Sequence, residues 1–203
     1  MFREFNLLTM TLDKDSLEQA LAALGEVLLE RGLNYEIIVV GGSGLLLLGT
    51  SVRPTKDLDV LAVVERGGLS IADPLPTPLI TAAKDVGNTF GLAGDWLNPG
   101  PTSLLELGFP EGFEDRLTAR RFGGLVVQIA GRVDQIFFKL YATADMGPGS
   151  KHLEDLIRLT PTESELLDAA HWMSTHDPSV GFRQMIVRAL SHLGVDDADA
   201  KLG

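Results

Sequence analysis

Val39-Val40-Gly41-Gly42-Ser43-Gly44 and, nine residues later, Arg53-Pro54-Thr55-Lys56-Asp57-Leu58-Asp59-Val60 decide how this chain is read. Tyr35 to Val40 is rich in β-branched residues and predicts a buried strand. Gly41-Gly42-Ser43-Gly44 is then a tight turn, and Leu45 to Leu48 begin a short buried helix. Thr55 to Val64 reads as a second strand, ended by Gly67-Gly68. Side chains alternate across a strand, so Asp57 and Asp59 share one face while Leu58 and Val60 take the other.

Two carboxylates at that spacing repel each other unless water or a cation sits between them. A hard divalent ion with oxygen ligands suits them, Mg2+ first and Mn2+ second. The glycine turn is complementary. Gly41 and Gly42 allow backbone N–H groups a close approach, and Ser43 adds a hydroxyl at a helix N-terminus, which together make a phosphate cradle. By itself a Gly-Gly-Ser after a strand is a structural turn, and a lone Asp-x-Asp is a solvated strand end. Their combination, with Arg53 and Thr55 between them, points to nucleotidyl transfer, where metal assists both the attacking hydroxyl and the leaving pyrophosphate. Other glycine-loop motifs fail on detail. Thr50 stands where a P-loop needs lysine, and Leu47 where a dinucleotide fingerprint needs its third glycine.

Working outward, Asp15-Ser16-Leu17-Glu18 reads as a helix start, followed by Leu17, Leu21, Leu24 and Leu28 at helical spacing and a stop at Gly32. The stretch from Leu69 to Pro110 holds 6 of the 10 prolines, and only a helix near Leu79 to Val86 is legible there. Leu117 to Arg121 and Leu125 to Ala130 predict a hairpin. Helices are expected over 134–145, 151–159, 162–175 and 181–193, with a capping box at Thr162-Glu163-Ser164-Glu165. The expected fold is α+β, a mixed sheet followed by helices, divided as 1–132 and 133–203.

Composition narrows the function. Without cysteine there are neither disulfides nor thiolate metal sites. Met1 to Lys14 lacks the pattern of a secretory signal, and no apolar run approaches the ~20 residues of a membrane span, so a cytoplasmic protein without a membrane partner is expected. A net charge of −11 disfavours broad nucleic-acid binding. The densest basic grouping is Arg116, Arg120, Arg121 and Arg132, either a triphosphate- or RNA-facing patch or a solvated strand face.

The blocks Gly41-Gly42-Ser43 and Arg53 to Val60, with Lys139-Leu140-Tyr141-Ala142 and Lys151-His152-Leu153-Glu154-Asp155-Leu156, resemble the polymerase-β-like nucleotidyltransferase superfamily. More narrowly they look like its AbiEii-like, toxin–antitoxin-associated members, in which Trp96-Leu97-Asn98 also resembles a loop. The resemblance spans roughly residues 35 to 160 and implies the polymerase-β-like fold with a C-terminal helical subdomain. It implies that Asp57 and Asp59 bind magnesium, that Gly42 and Ser43 hold a nucleoside triphosphate, and that Lys139 and Asp155 line the active site. The alternatives are a surface lysine for Lys139 and an ion pair with Lys151 for Asp155. His152 reads as a surface histidine, and Trp96 as a base-stacking, core or loop-anchoring residue. A third carboxylate is expected on a later strand, but Leu125 to Ile129 offers only Gln128, leaving Asp134 just beyond it.

The expected activity is therefore transfer of a nucleoside monophosphate from a triphosphate to a tRNA, protein or small-molecule hydroxyl. A toxin-type enzyme neutralised by an antitoxin protein is one setting for it. The competing expectation is a non-catalytic nucleotide- or partner-binding module on the same fold.

Overall fold

The computed structural model describes residues 10–51, 53–147 and 149–203. They form two compact units. One comprises the described residues up to Leu105 plus Ala119–Ile129; the other comprises Glu106–Thr118 and Ala130–Gly203. The segment 106–118 thus belongs with the helices rather than with the sheet that precedes it in sequence. No helix of the described residues is long and apolar enough to cross a membrane.

The first unit is built on a mixed sheet. Strand β1 (Tyr35–Val40) pairs antiparallel with β2 (Leu58–Glu65) and parallel with β6 (Leu125–Ile129). Beyond them lie β3 (Gly68–Ile71) and β5 (Thr118–Phe122), giving the order β3-β2-β1-β6-β5; β4 (Leu97–Asn98) adds to β2 in parallel. Ile37 to Val40 are all buried, as a strand flanked on both sides requires. The β1–β2 register shifts by one after Ile38, leaving Leu61 as the extra residue of a bulge.

Helix α1 (Lys14–Glu30) packs Leu17, Leu21, Leu24 and Leu28 into this core, as their spacing predicts. Its start lies two residues before the expected one. Asp13 caps it, accepting the Ser16 N–H at 2.9 Å while the Ser16 hydroxyl accepts the Asp13 N–H at 2.9 Å. Glu18, expected in the cap, instead takes Arg120 at 2.7 Å. Helix α2 (Gly41–Leu48) and helix α3 (Thr77–Phe90) complete the unit. A single helical turn, α4 (Leu104–Leu107), follows them in the chain.

Two elements of the proline-rich stretch differ from expectation. Gly68–Ile71 is a strand, joined to β2 by a two-residue turn whose central residues, Arg66 and Gly67, both have positive φ. It is too short and too exposed to carry an alternating apolar signal. Leu97–Asn98 is the other unforeseen strand, and Trp96 just before it is core. Its indole is fully buried and donates Nε1–H to the Ala83 carbonyl at 2.8 Å, which removes it as a base-stacking platform.

In the second unit α5 (Arg132–Met146) is surrounded by α6 (Lys151–Arg158), α7 (Glu163–His176) and α8 (Val180–His192). The capping box at Thr162 and Glu165 forms as expected. Aromatic rings fill the interior: Trp172 meets Phe137, Phe138 and Tyr141 edge-on or tilted at 5.8–6.3 Å. The mixed sheet and the helices make the α+β class plain.

Candidate active site

Strand β1 ends at Val40, and Val40 lies opposite Asp59 in the β1–β2 register. Gly41 then turns the chain into α2 with a φ of +70°, a conformation that favours glycine. The second demand on Gly41 is spatial. A Cβ there would stand 2.0 Å from Asp59 Oδ2, so the carboxylate fills the place of a side chain. Ser43 ties the two elements together. Its fully buried hydroxyl donates to the Val40 carbonyl at 3.2 Å and accepts the Asp59 N–H at 3.0 Å. The structure thus gives the Ser43 hydroxyl a role inside the protein, holding β2 against the turn.

Asp57, just before β2, and Asp59 within it are half-buried, while Leu58 and Val60 are fully buried; the burial alternates as the sequence implies, but the strand begins at Leu58 rather than at the expected Thr55. The Thr55 hydroxyl lies 3.2 Å from both the carbonyl and Oδ1 of Asp57. Gly42 faces Thr55 and Arg53, whose nearest atoms would be 3.5 and 3.7 Å from a Cβ at that position. The described residues thus bring Gly41, Gly42, Ser43, Arg53, Thr55, Asp57 and Asp59 into one neighbourhood at the end of β1 and the start of β2.

Asn98 joins them from β4. The β2–β4 register pairs Leu58 with Leu97 and Asp59 with Asn98. The amide nitrogen of Asn98 lies 3.2 Å from Asp59 Oδ1 and 3.4 Å from Asp57 Oδ2, bridging both acids. Sequence reasoning passes over this residue. A two-residue strand has no periodicity, and the only signal is the resemblance of Trp96-Leu97-Asn98 to a loop.

The remaining candidates lie in the helical unit and are partnered there. Lys139 and Asp155 are 4% and 1% exposed and form an ion pair at 2.7 Å. Lys139 is therefore no surface lysine, and the carboxylate of Asp155 meets Lys139 rather than Lys151 four residues before it. Asp134 is fully buried, and both its oxygens accept from Arg116, at 2.6–3.2 Å. That two-pronged contact raises the Arg116 pKa above its ordinary value. Arg120 and Arg132 are likewise matched, to Glu18 and Glu165, while Arg121 is exposed. His152 is half-buried.

Among the described residues no cluster of three or more His, Asp or Glu side chains could hold a metal. The pair Asp57 and Asp59 still fits magnesium, which is commonly bound by one or two protein carboxylates and completes its shell with water and substrate phosphates. The donor set is hard oxygen throughout, and the glycine turn that would carry those phosphates adjoins it.

A family model described as "Nucleotidyltransferase of unknown function (DUF6036)" matches residues 15–147, well over half of the chain. No curated protein and no solved structure matches.

Proposed function

The chain belongs to this family of nucleotidyltransferases of unknown function, and we propose that it moves a nucleoside monophosphate from a triphosphate to a hydroxyl, with magnesium at Asp57 and Asp59. One observation carries the reading: both carboxylates converge on a single amide, and one of them occupies the space beside Gly41 at a glycine turn. When bound, the metal supplies positive charge to the triphosphate and to the leaving pyrophosphate.

The chain's own groups divide the rest. Backbone N–H groups at Gly41 and Gly42, at the positive end of α2, receive phosphate oxygens. Arg53 and Thr55, which face Gly42, add a cation and a hydroxyl to that cradle. Ser43 acts through position, since its hydroxyl holds the Asp59 backbone. The acceptor hydroxyl oxygen bonds to the α-phosphorus, the bond from that phosphorus to the bridging oxygen breaks, and pyrophosphate leaves with the electron pair. The hydroxyl proton passes to water, because no third acid joins the two carboxylates among the described residues. In the helical unit Lys139 and Asp155 act as a buried pair joining α5 to α6.

The acceptor is a protein or small-molecule hydroxyl in preference to bulk RNA, given the net charge of −11; a single tRNA end is compatible with it. A toxin-type setting, with a separate antitoxin protein, is the biological form this activity would take if its acceptor serves translation. The test is label transfer from each of the four α-labelled nucleoside triphosphates into a cell extract, with magnesium, comparing the wild type with the D57A/D59A double variant. Label on a protein, RNA or small-molecule band with the wild type alone supports the reading. Triphosphate binding without label in any fraction supports the non-catalytic module.

A further inference from the structure

The β2–β4 register sets the Asn98 amide beside Asp59 and within reach of Asp57. We propose that Asn98 is a positioning residue, whose amide aligns Asp57 and Asp59 for one divalent cation and keeps the site to one. This rests on the reading of Asp57 and Asp59 as metal ligands.

The amide group explains the choice of residue. Its nitrogen carries two protons, one for each carboxylate, at 3.2 and 3.4 Å. Its oxygen accepts the Gly100 N–H at 3.0 Å, which fixes the orientation of the group. Turned over, the amide would set its oxygen against two carboxylates and its nitrogen against an N–H. Two acids at alternate positions on one strand face repel each other. A neutral group that donates to both eases that repulsion before any cation arrives. It also draws one oxygen of each acid toward a common point without adding charge. With no further His, Asp or Glu completing a cluster of three among the described residues, and with Arg53 in the same neighbourhood as a cation, the two carboxylates suit a single divalent ion. An aspartate at position 98 would donate to neither acid and would add the charge that a second cation needs.

The test is calorimetric titration of the full chain with manganese chloride alone, beside circular dichroism and a thermal melt of each metal-free variant. The wild type should take up one equivalent. N98A should keep its spectrum and bind manganese about 10-fold or more weakly, as loss of an orienting partner does. N98D, nearly the same size, should take up a second equivalent. A folded N98A that binds within two-fold of the wild type overturns the proposal, as does an N98D that stays at one equivalent with unchanged affinity. D57N/D59N should bind no manganese. Wild-type binding by that double variant would defeat the reading of the two acids as ligands, an outcome distinguishable from failure at Asn98.

Discussion

The Lys139 ammonium lies 2.7 Å from the Asp155 carboxylate, sixteen residues away in sequence, with both side chains almost wholly buried. Taking two charges out of water is costly, and their attraction repays it only while both are present. The Thr143 hydroxyl, donating to the Lys139 carbonyl at 2.7 Å, adds a further polar contact in the same turn of α5.

Removing one partner should therefore hurt more than removing both. K139M or D155N should each cost about 3–5 kcal/mol of unfolding free energy, by leaving a buried charge or polar group without its ion-pair partner. K139M/D155L should recover most of that loss. Denaturant melts of the three variants give the comparison. A double variant no better than the singles would show that lost packing, rather than a stranded charge, sets the cost.

Gly25, in the middle of α1, reverses an ordinary rule. Glycine to alanine inside a helix is usually stabilising by about 1 kcal/mol. Here a Cβ would stand 1.8 Å from the Phe122 carbonyl oxygen, a backbone atom that cannot swing aside. G25A should instead destabilise by about 1–3 kcal/mol or more, as overpacking does. A chemical denaturation midpoint at or above that of the wild type would show that the helix moves off the hairpin freely.

Gly41 joins conformation to chemistry. Alanine there meets both a φ of +70° and the Asp59 carboxylate, which a Cβ would approach to 2.0 Å. The strain alone is of order 1–3 kcal/mol, while displacing Asp59 should lower label transfer by about 100-fold or more. G42A, with nothing nearer than 3.5 Å, should fold normally and affect triphosphate binding rather than stability. Equal activity of G41A and wild type would separate the carboxylate from the reaction.

Stability should fall with acid in two stages. Burial lowers the His176 pKa, so the folded protein resists its protonation. Above about pH 6.5 both states hold it neutral, and below that the unfolded chain takes the proton first, so stability declines as pH falls. Glu165 and Glu18 have the opposite charge and the same direction. Hydrogen bonds from Arg132 and Arg120 hold their carboxyls below the ordinary range. Their contribution is complete above about pH 4.3 and is lost as pH drops through the folded-state value. Thermal melts from pH 8 to 3 should show both stages. H176F should remove the upper one only.

How much of this is legible in sequence depends on how far each contact reaches along the chain. The turn at Gly41 and the facing of Asp57 and Asp59 follow from strand alternation and glycine conformation, which act within a few residues. The cap at Thr162 and Glu165 is equally local, and it forms where its motif stands. The start of α1 is read in sequence from Asp15 with Glu18, whereas the structure caps the helix with Asp13 and Ser16. The choice falls to Asp13 while Glu18 is engaged by Arg120, 102 residues away.

What the sequence by itself determined is the α+β alternation, the glycine turn, and two acids two residues apart at the start of β2, all matters of local spacing and chirality. Only the tertiary structure decided that Asn98 meets Asp59 from 39 residues away, that the Ser43 hydroxyl turns inward, that Trp96 is core, and that Lys139 pairs with Asp155. Each depends on which strands and helices become neighbours. That choice is made by burying apolar surface over the whole unit, and no short stretch of residues encodes it.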